Sequence, residues 1–183
     1  MSSLLAIDPG FAAKGEGCAL SLFVDHILVD SWYERVDQHF SVSDHCDITI
    51  DEVIIEKPQQ DARTYGVPPK VAIELTWQGA ILGAYYAGAS WGEVSGFTPH
   101  EWKGSEQKPI QHGRLWRILS TDERRVLGGA ATGEQIDAAK RKGALDRWGR
   151  PGDRYYPKSF LMHNKLDSTA LGTWYLRRLE RLG

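Results

Sequence analysis

Three acids, Asp8, Glu56 and Asp167, stand where a soluble chain seldom leaves a carboxylate unaided. Asp8 follows the uncharged apolar run Leu4–Ile7 and is followed by Pro9 and Gly10. A short apolar run closed by such a breaker is the pattern of a buried strand. Glu56 ends a second run, Val53, Ile54 and Ile55, which Pro58 closes. A carboxylate at the carboxyl end of a core strand is costly to desolvate unless a cation or a hydrogen-bond donor meets it. In open α/β sheets that edge is also where ligands collect. Asp8 suits turn-shaping equally well when read alone. If the two strands are parallel neighbours, however, both acids come to one sheet edge. Asp167 lies on the last helical stretch, Ser159–Leu182, with His163 and Asn164 one turn before it on the same face.

The elements that must position these groups follow in order. Residues 18–24 and 27–33 are strand-like around a tight Asp25–His26 connection, so they predict a hairpin that extends the first strand into an antiparallel meander. Residues 36–47 are polar, and the spacing of His39, His45 and Cys46 fits no standard zinc pattern. Pro69 to Ala89 predicts a helix apolar over more than one stripe. It is expected to be buried on two sides, against the sheet and against either more core or a second copy of itself. Residues 91–97 predict a further strand, and helical segments follow at about 110–119, 121–127 and 132–145. The stretch from Gly128 to Gly152 is glycine-rich at both ends and basic between, the composition of a loop that orders on DNA.

Whole-chain composition is that of an ordinary globular protein of 183 residues, long enough for one domain spanning 1–183. No apolar run approaches a membrane span, the N-terminus lacks signal-peptide character, and two cysteines make no disulfide framework. A cytoplasmic protein without membrane partners is the expectation. The net charge of −2 conceals a division. Residues 1–102 carry 5 Lys and Arg against 15 Asp and Glu, whereas residues 103–183 carry 17 against 9. One half therefore supplies an acidic centre, and the other supplies either a surface for a polyanion or a solvated basic face.

The order of strand acid, hairpin, strand acid, buried helix, strand, basic helices and final helix with an inward acid resembles the ribonuclease H-like arrangement. The resemblance rests on Ala-Ile-Asp-Pro-Gly at 6–10, Ile-Ile-Glu-Lys-Pro at 54–58 and His-Asn-Lys-Leu-Asp-Ser-Thr-Ala-Leu at 163–171. Within that superfamily the chain is similar to the RuvC-type Holliday junction resolvases and their phage-encoded relatives over nearly its whole length. The resemblance implies an α/β fold with a mixed five-stranded sheet, an antiparallel meander plus parallel strands, flanked by helices. It also implies a homodimer through helix 69–89, bound to branched DNA in the bacterial or phage-infected cytoplasm. The implied activity is hydrolysis of four-way junctions to 5′-phosphate and 3′-hydroxyl ends by two Mg²⁺ per site, with Mn²⁺ able to substitute. Asp8 would bridge the metals, with Glu56 on one and Asp167 on the other. Carboxylates suit that task because Mg²⁺ takes hard oxygen ligands and the scissile phosphate repels an attacking hydroxide.

The pattern departs from that family at two places. RuvC-type enzymes carry an acid, or in some members a histidine, three residues before the final aspartate. Here that position is Asn164, and His163 precedes it. His163 is expected to complete the site as a metal ligand or by transferring protons near neutral pH. The loop after the second acid, where the family places an aromatic wedge, has Gln59 and Gln60, with Tyr65 further on. Tyr65 either replaces the wedge or packs on the following helix. Arg63, Lys103, Lys108 and Arg114 are the candidates for phosphate contacts, which give affinity without sequence choice. Two further readings compete: a nuclease of the same fold for another branched or RNA-containing substrate, and a non-catalytic junction-binding module. An actin-like ATP-binding protein would need two related halves and a longer chain.

Overall fold

Strand β1 (Ser3–Asp8) occupies the centre of a five-stranded sheet of order β3-β2-β1-β4-β5 in the computed structural model. The structure describes residues 2–10, 17–34, 50–58, 69–88, 93–104, 106–145 and 162–180. β2 (Cys18–Val24) and β3 (Ile27–Glu34) form the antiparallel meander with β1. Asp25 and His26 between them have φ of 48° and 69°, the two left-handed residues that a tight hairpin turn of matching twist requires. β4 (Glu52–Glu56) runs parallel to β1, and β5 (Glu93–Phe97) runs parallel to β4. This is the mixed sheet expected from the sequence. The Asp51 carboxylate accepts from the Ser3 backbone N–H at 2.7 Å, while the Asp51 N–H donates to Ser3 Oγ at 2.9 Å. That reciprocal clamp sets β1 and β4 in register at their start.

Side chains alternate across a strand, so each face of the sheet has its own core. Leu5, Ile7, Val53 and Leu22 face one way, toward α1 (Pro69–Gly88), whose Leu82 and Tyr86 cover them. Leu4, Ala6 and Ile54 face the other way. That second face is covered by α3 (Lys108–Ile118) and α6 (Met162–Glu180), with α5 (Ala130–Leu145) behind them. Two short helices, α2 (Pro99–Lys103) and α4 (Thr121–Val126), complete the layer. Both begin with a capping box, Thr98 with Glu101 and Ser120 with Glu123, which satisfies backbone donors that a short helix would otherwise leave bare. The stretch 130–145 is the helix expected at about 132–145, and its Ile136 and Ala139 join the same core as Leu115, so the loop expected between Gly128 and Gly152 does not extend through it. Its apolar periodicity outweighs the basic residues on its outer side. Residues 146–152 lie outside the described residues.

Helix α6 sits close on the sheet because of small side chains. A Cβ on Gly172 would lie 2.2 Å from the Phe23 ring, so only glycine permits this approach. Ser21 Oγ on β2 meets Ser168 Oγ at 2.7 Å and Thr169 Oγ1 at 2.9 Å. These buried hydroxyls fix the rotation of α6, and the flanking Leu166 and Leu171 are fully buried. Each such leucine contributes about 1.5–3 kcal/mol by its burial. Helix α1 has two unlike sides. One side is buried on the sheet, but Ile73, Trp77 and Tyr85 on its other side are 57%, 62% and 37% exposed within this chain. Among the described residues no helix is long and apolar enough to cross a membrane.

Candidate active site

The register Ile7 opposite Ile55 leaves Asp8 and Glu56 as the next residues along two neighbouring parallel strands. Alternation sends both toward the α3–α6 side, the side of Leu4, Ala6 and Ile54. Facing them is Asp167, in the second turn of α6 and only 3% exposed. The hydroxyl contacts of Ser168 and Thr169 hold this turn against β2. All three acids feel one another electrostatically. Burial, then the charges of Glu56 and Asp167, push the Asp8 carboxyl well above the ordinary range. Burial likewise raises Glu56, against the opposing pull of Lys103.

Glu56 and Asp167 are met by donors from α2 and α3. The Trp102 indole N–H donates to Glu56 Oε2 at 2.9 Å, and Lys103 Nζ stands 3.5 Å from the same oxygen. Lys103 also lies 4.7 Å from the centre of the Trp102 ring. On the opposite side, Asp167 is held at both oxygens by residues one helical turn apart on α3. His112 Nε2 is 2.8 Å from Oδ1, and the Lys108 ammonium pairs with Oδ2. Burial opposes a charge on Asp167, but Lys108 and His112 outweigh it and hold its carboxyl far below the ordinary range. Burial keeps the His112 ring neutral. An ionised carboxylate only accepts, so Nε2 carries the proton and donates it to Asp167. Burial works against the Lys108 ammonium as well, yet Asp167, Asp8 and Glu56 together raise its pKa. The acidic centre is thus balanced by cations within the chain.

The first turn of α6 brings His163 and Asn164 to the same place. Asn164 Nδ2 lies 3.5 Å from where a Cβ on Gly10 would stand, next to the turn that follows Asp8. His163 shares a hydrogen bond with the Asn164 side chain and feels both Lys108 and Asp167. Burial and the Lys108 charge pull its pKa to about 4, so its ring is neutral throughout the physiological range. A neutral imidazole is the form that ligates a metal.

Of the residues expected to touch DNA, Lys103 and Lys108 are placed inside the acidic centre. Arg114 is 65% exposed along its side chain and pairs with Glu106 at 2.6 Å. Arg63, Tyr65, Gln59 and Gln60 lie outside the described residues, as do His39, His45 and Cys46. One contributor went unnoticed in the sequence. His112 stands four residues after Lys108, the spacing that puts both on one helix face and that also relates His163 to Asp167. Trp102, in the turn with Lys103 expected to contact DNA, directly follows the Thr98–Glu101 capping box and donates its indole N–H to Glu56 at the end of β4.

Among the described residues no three His, Cys, Asp or Glu side chains are gathered tightly enough to hold a metal ion, and lysine ammonium groups reach the carboxylates instead. The chemistry of the donor set nevertheless fits a hard divalent cation. It offers three carboxylates, one neutral imidazole and one amide, with a buried Asp8 carboxyl that only positive charge can keep ionised.

No protein-family model matches the chain, and no match is found among curated proteins. A solved structure described as T. thermophilus RuvC in complex with Holliday junction substrate is similar over 97% of this chain and 96% of that one. The sequence identity is 14% and the TM-score 0.46.

Proposed function

We propose that this chain is a divalent-metal-dependent endonuclease that cuts four-way DNA junctions by paired phosphodiester hydrolysis, leaving 5′-phosphate and 3′-hydroxyl ends. The supporting observation is the meeting of Asp8, Glu56 and Asp167 from two adjacent strand ends and the helix that faces them. These carboxylates would hold Mg²⁺ or Mn²⁺, with His163 or Asn164 alongside. The bound cations would offset the carboxylate charge and polarise both the phosphodiester and a neighbouring water molecule. His112 donates to Asp167 and would keep that carboxylate oriented while it holds a cation. Were a cation held by Asp167, the Lys108 ammonium would remain beside the site and would meet the negative charge of the phosphate. Lys103 would do the same from the Glu56 side. A neutral His163 would be available as a ligand, and with a pKa of about 4 it would be a weak proton acceptor.

Paired incision needs two such centres. The outer face of α1, with Ile73, Trp77 and Tyr85 exposed, supplies an apolar surface for a second copy of this chain. A labelled four-way junction, a linear duplex and an RNA–DNA hybrid, each incubated with the protein in Mg²⁺, test the substrate. Symmetric nicks confined to the junction are expected. Cutting of the hybrid alone would move the function to another nuclease of the same architecture, and junction binding without cutting would identify a non-catalytic module.

A further inference from the structure

Glu56 and Asp167 are held by the same kind of pairing. Each carboxylate meets one buried neutral donor and one lysine ammonium, both from the same helix. For Glu56 these are the Trp102 indole N–H at 2.9 Å and Lys103 Nζ at 3.5 Å, neighbours on α2. For Asp167 they are His112 Nε2 at 2.8 Å and the Lys108 ammonium, one turn apart on α3. The members of each pair differ in freedom. Trp102 and His112 are buried, whereas the side chains of Lys103 and Lys108 are 21% and 36% exposed. A ring packed in the core cannot swing away from its carboxylate without opening a void. An ammonium on a flexible four-carbon stem that reaches solvent can.

Charge says what draws the ammoniums away. Two carboxylates facing two ammoniums are balanced within the chain, and the Asp8 carboxyl lies beside them. A divalent cation entering alone brings two further positive charges next to Lys103 and Lys108, in a place poorly screened by water. A phosphodiester entering with the cation offsets that excess and gives each displaced ammonium a new anion to meet. A phosphate entering alone faces carboxylates that repel it.

We infer that Lys103 and Lys108 are exchangeable counter-ions that make this centre bind a divalent cation and a DNA phosphate together, and each poorly alone. The inference deepens the metal-dependent reading above and rests on it. Such coupling is reciprocal: the strand raises metal affinity by the same factor by which metal raises strand affinity. Away from DNA the acids stay paired with lysine, so the hydrolytic centre assembles on the strand it cuts.

Calorimetric titration with Ca²⁺, which takes hard oxygen ligands as Mg²⁺ does, reads metal affinity apart from cleavage. It is run on the full chain alone, with a four-way junction and with a linear duplex, each DNA titrated by itself as the blank. For the parent, the junction is expected to raise Ca²⁺ affinity by about tenfold or more, within the usual range for coupled sites. A junction with uncharged methylphosphonate linkages around the branch should not. Without DNA, Lys108→Met and separately Lys103→Met are expected to bind Ca²⁺ about tenfold more tightly than the parent, with most of the coupling lost. Lys108→Arg and Lys103→Arg keep the charge and should bind Ca²⁺ as weakly as the parent. The two methionine variants act on different helices, so a loss of fold in one leaves the other to report. Equal Ca²⁺ affinity of the parent with and without DNA, or no gain in either methionine variant, would overturn the inference. Coupling as strong with the linear duplex as with the junction would keep the exchange and remove the junction reading. Absence of Ca²⁺ binding in every protein, with or without DNA, would remove both the inference and the metal-dependent reading beneath it.

Discussion

His112 Nε2 lies 2.8 Å from Asp167 Oδ1, in a position where neither ring nor carboxylate has appreciable contact with water. This relationship ties α3 to α6 at the point where the site needs a carboxylate held still. His112→Phe keeps the ring's bulk and removes the donor. A hydrogen bond to a charged group is worth about 1.5–3 kcal/mol, so a fall in Tm of several degrees is expected. The Mg²⁺ concentration for half-maximal cleavage should rise about tenfold, as it does when a partner behind a metal ligand is lost. His112→Gln, which restores a donor, should recover part of both. A lower Tm with unchanged Mg²⁺ dependence would make His112 a packing residue only.

Lys108 acts as the counter-ion of Asp167 when no metal is bound. Lys108→Met leaves the buried Asp167 carboxylate with His112 as its remaining hydrogen-bond partner and only the more distant Lys103 charge beside it. Loss of one partner from a fully buried pair costs about 3–5 kcal/mol. The Lys108 side chain is 36% exposed, so screening reduces the expected loss to about 1–3 kcal/mol. The variant should also gain more thermal stability from Mg²⁺ than the parent does, because the cation replaces a missing charge rather than displacing a present one. Equal stabilisation of both proteins would contradict this role.

Asp8 should show the opposite behaviour. Its folded-state pKa is raised, chiefly by burial and then by Glu56, so the folded state favours the protonated form. The stabilising effect of that preference is complete below the unfolded-state value, about 4, and is lost as pH rises through the folded-state value. Asp8→Asn, measured without divalent metal at pH 7–8, is expected to raise Tm by about 3–6 °C while abolishing cleavage. The gain should vanish near pH 4. A variant destabilised at pH 8 would show that Asp8 is already compensated within the chain.

The exposed face of α1 predicts an assembly. Trp77→Lys places a charge in the middle of the Ile73–Trp77–Tyr85 surface without disturbing Leu82 or Tyr86 on the buried side. Sedimentation should then report a monomer where the parent sediments as a dimer. Junctions should receive single nicks in place of paired ones. A parent that is monomeric at every concentration tested would remove this part of the account.

The sheet was legible because its signals are local. Leu4–Ile7 before Asp8, and Val53–Ile55 before Glu56, announce strands with acids at their ends, and alternation then assigns both acids to one face. The short Asp25–His26 connection likewise announced the hairpin. What could not be read locally was the far side of the site. Lys108 and Lys103 appeared as members of a basic patch, since nothing in a linear sequence says that a lysine will turn inward onto an aspartate some 60 residues away. His112 carried a signal, its i,i+4 relation to Lys108, but the same spacing is common on any helix face. The pKa of His163 depends on burial and on the Lys108 charge, both of which exist only once α3 and α6 have packed. Within 128–152 two local signals conflicted: the apolar spacing around Ile136 and Ala139 announced the helix found at 130–145, while the edge glycines and the surface charge suggested a loop.

The central claim is that Asp8, Glu56 and Asp167 form a metal-dependent catalytic centre for branched DNA. The direct measurement is cleavage of a four-way junction labelled on each strand, by the parent and by Asp8→Asn, in Mg²⁺ and in EDTA. Symmetric paired nicks by the parent in Mg²⁺, absent in EDTA and absent for Asp8→Asn in either condition, are the predicted result. Cleavage that persists in EDTA, or that survives Asp8→Asn at the parent's rate, would contradict it.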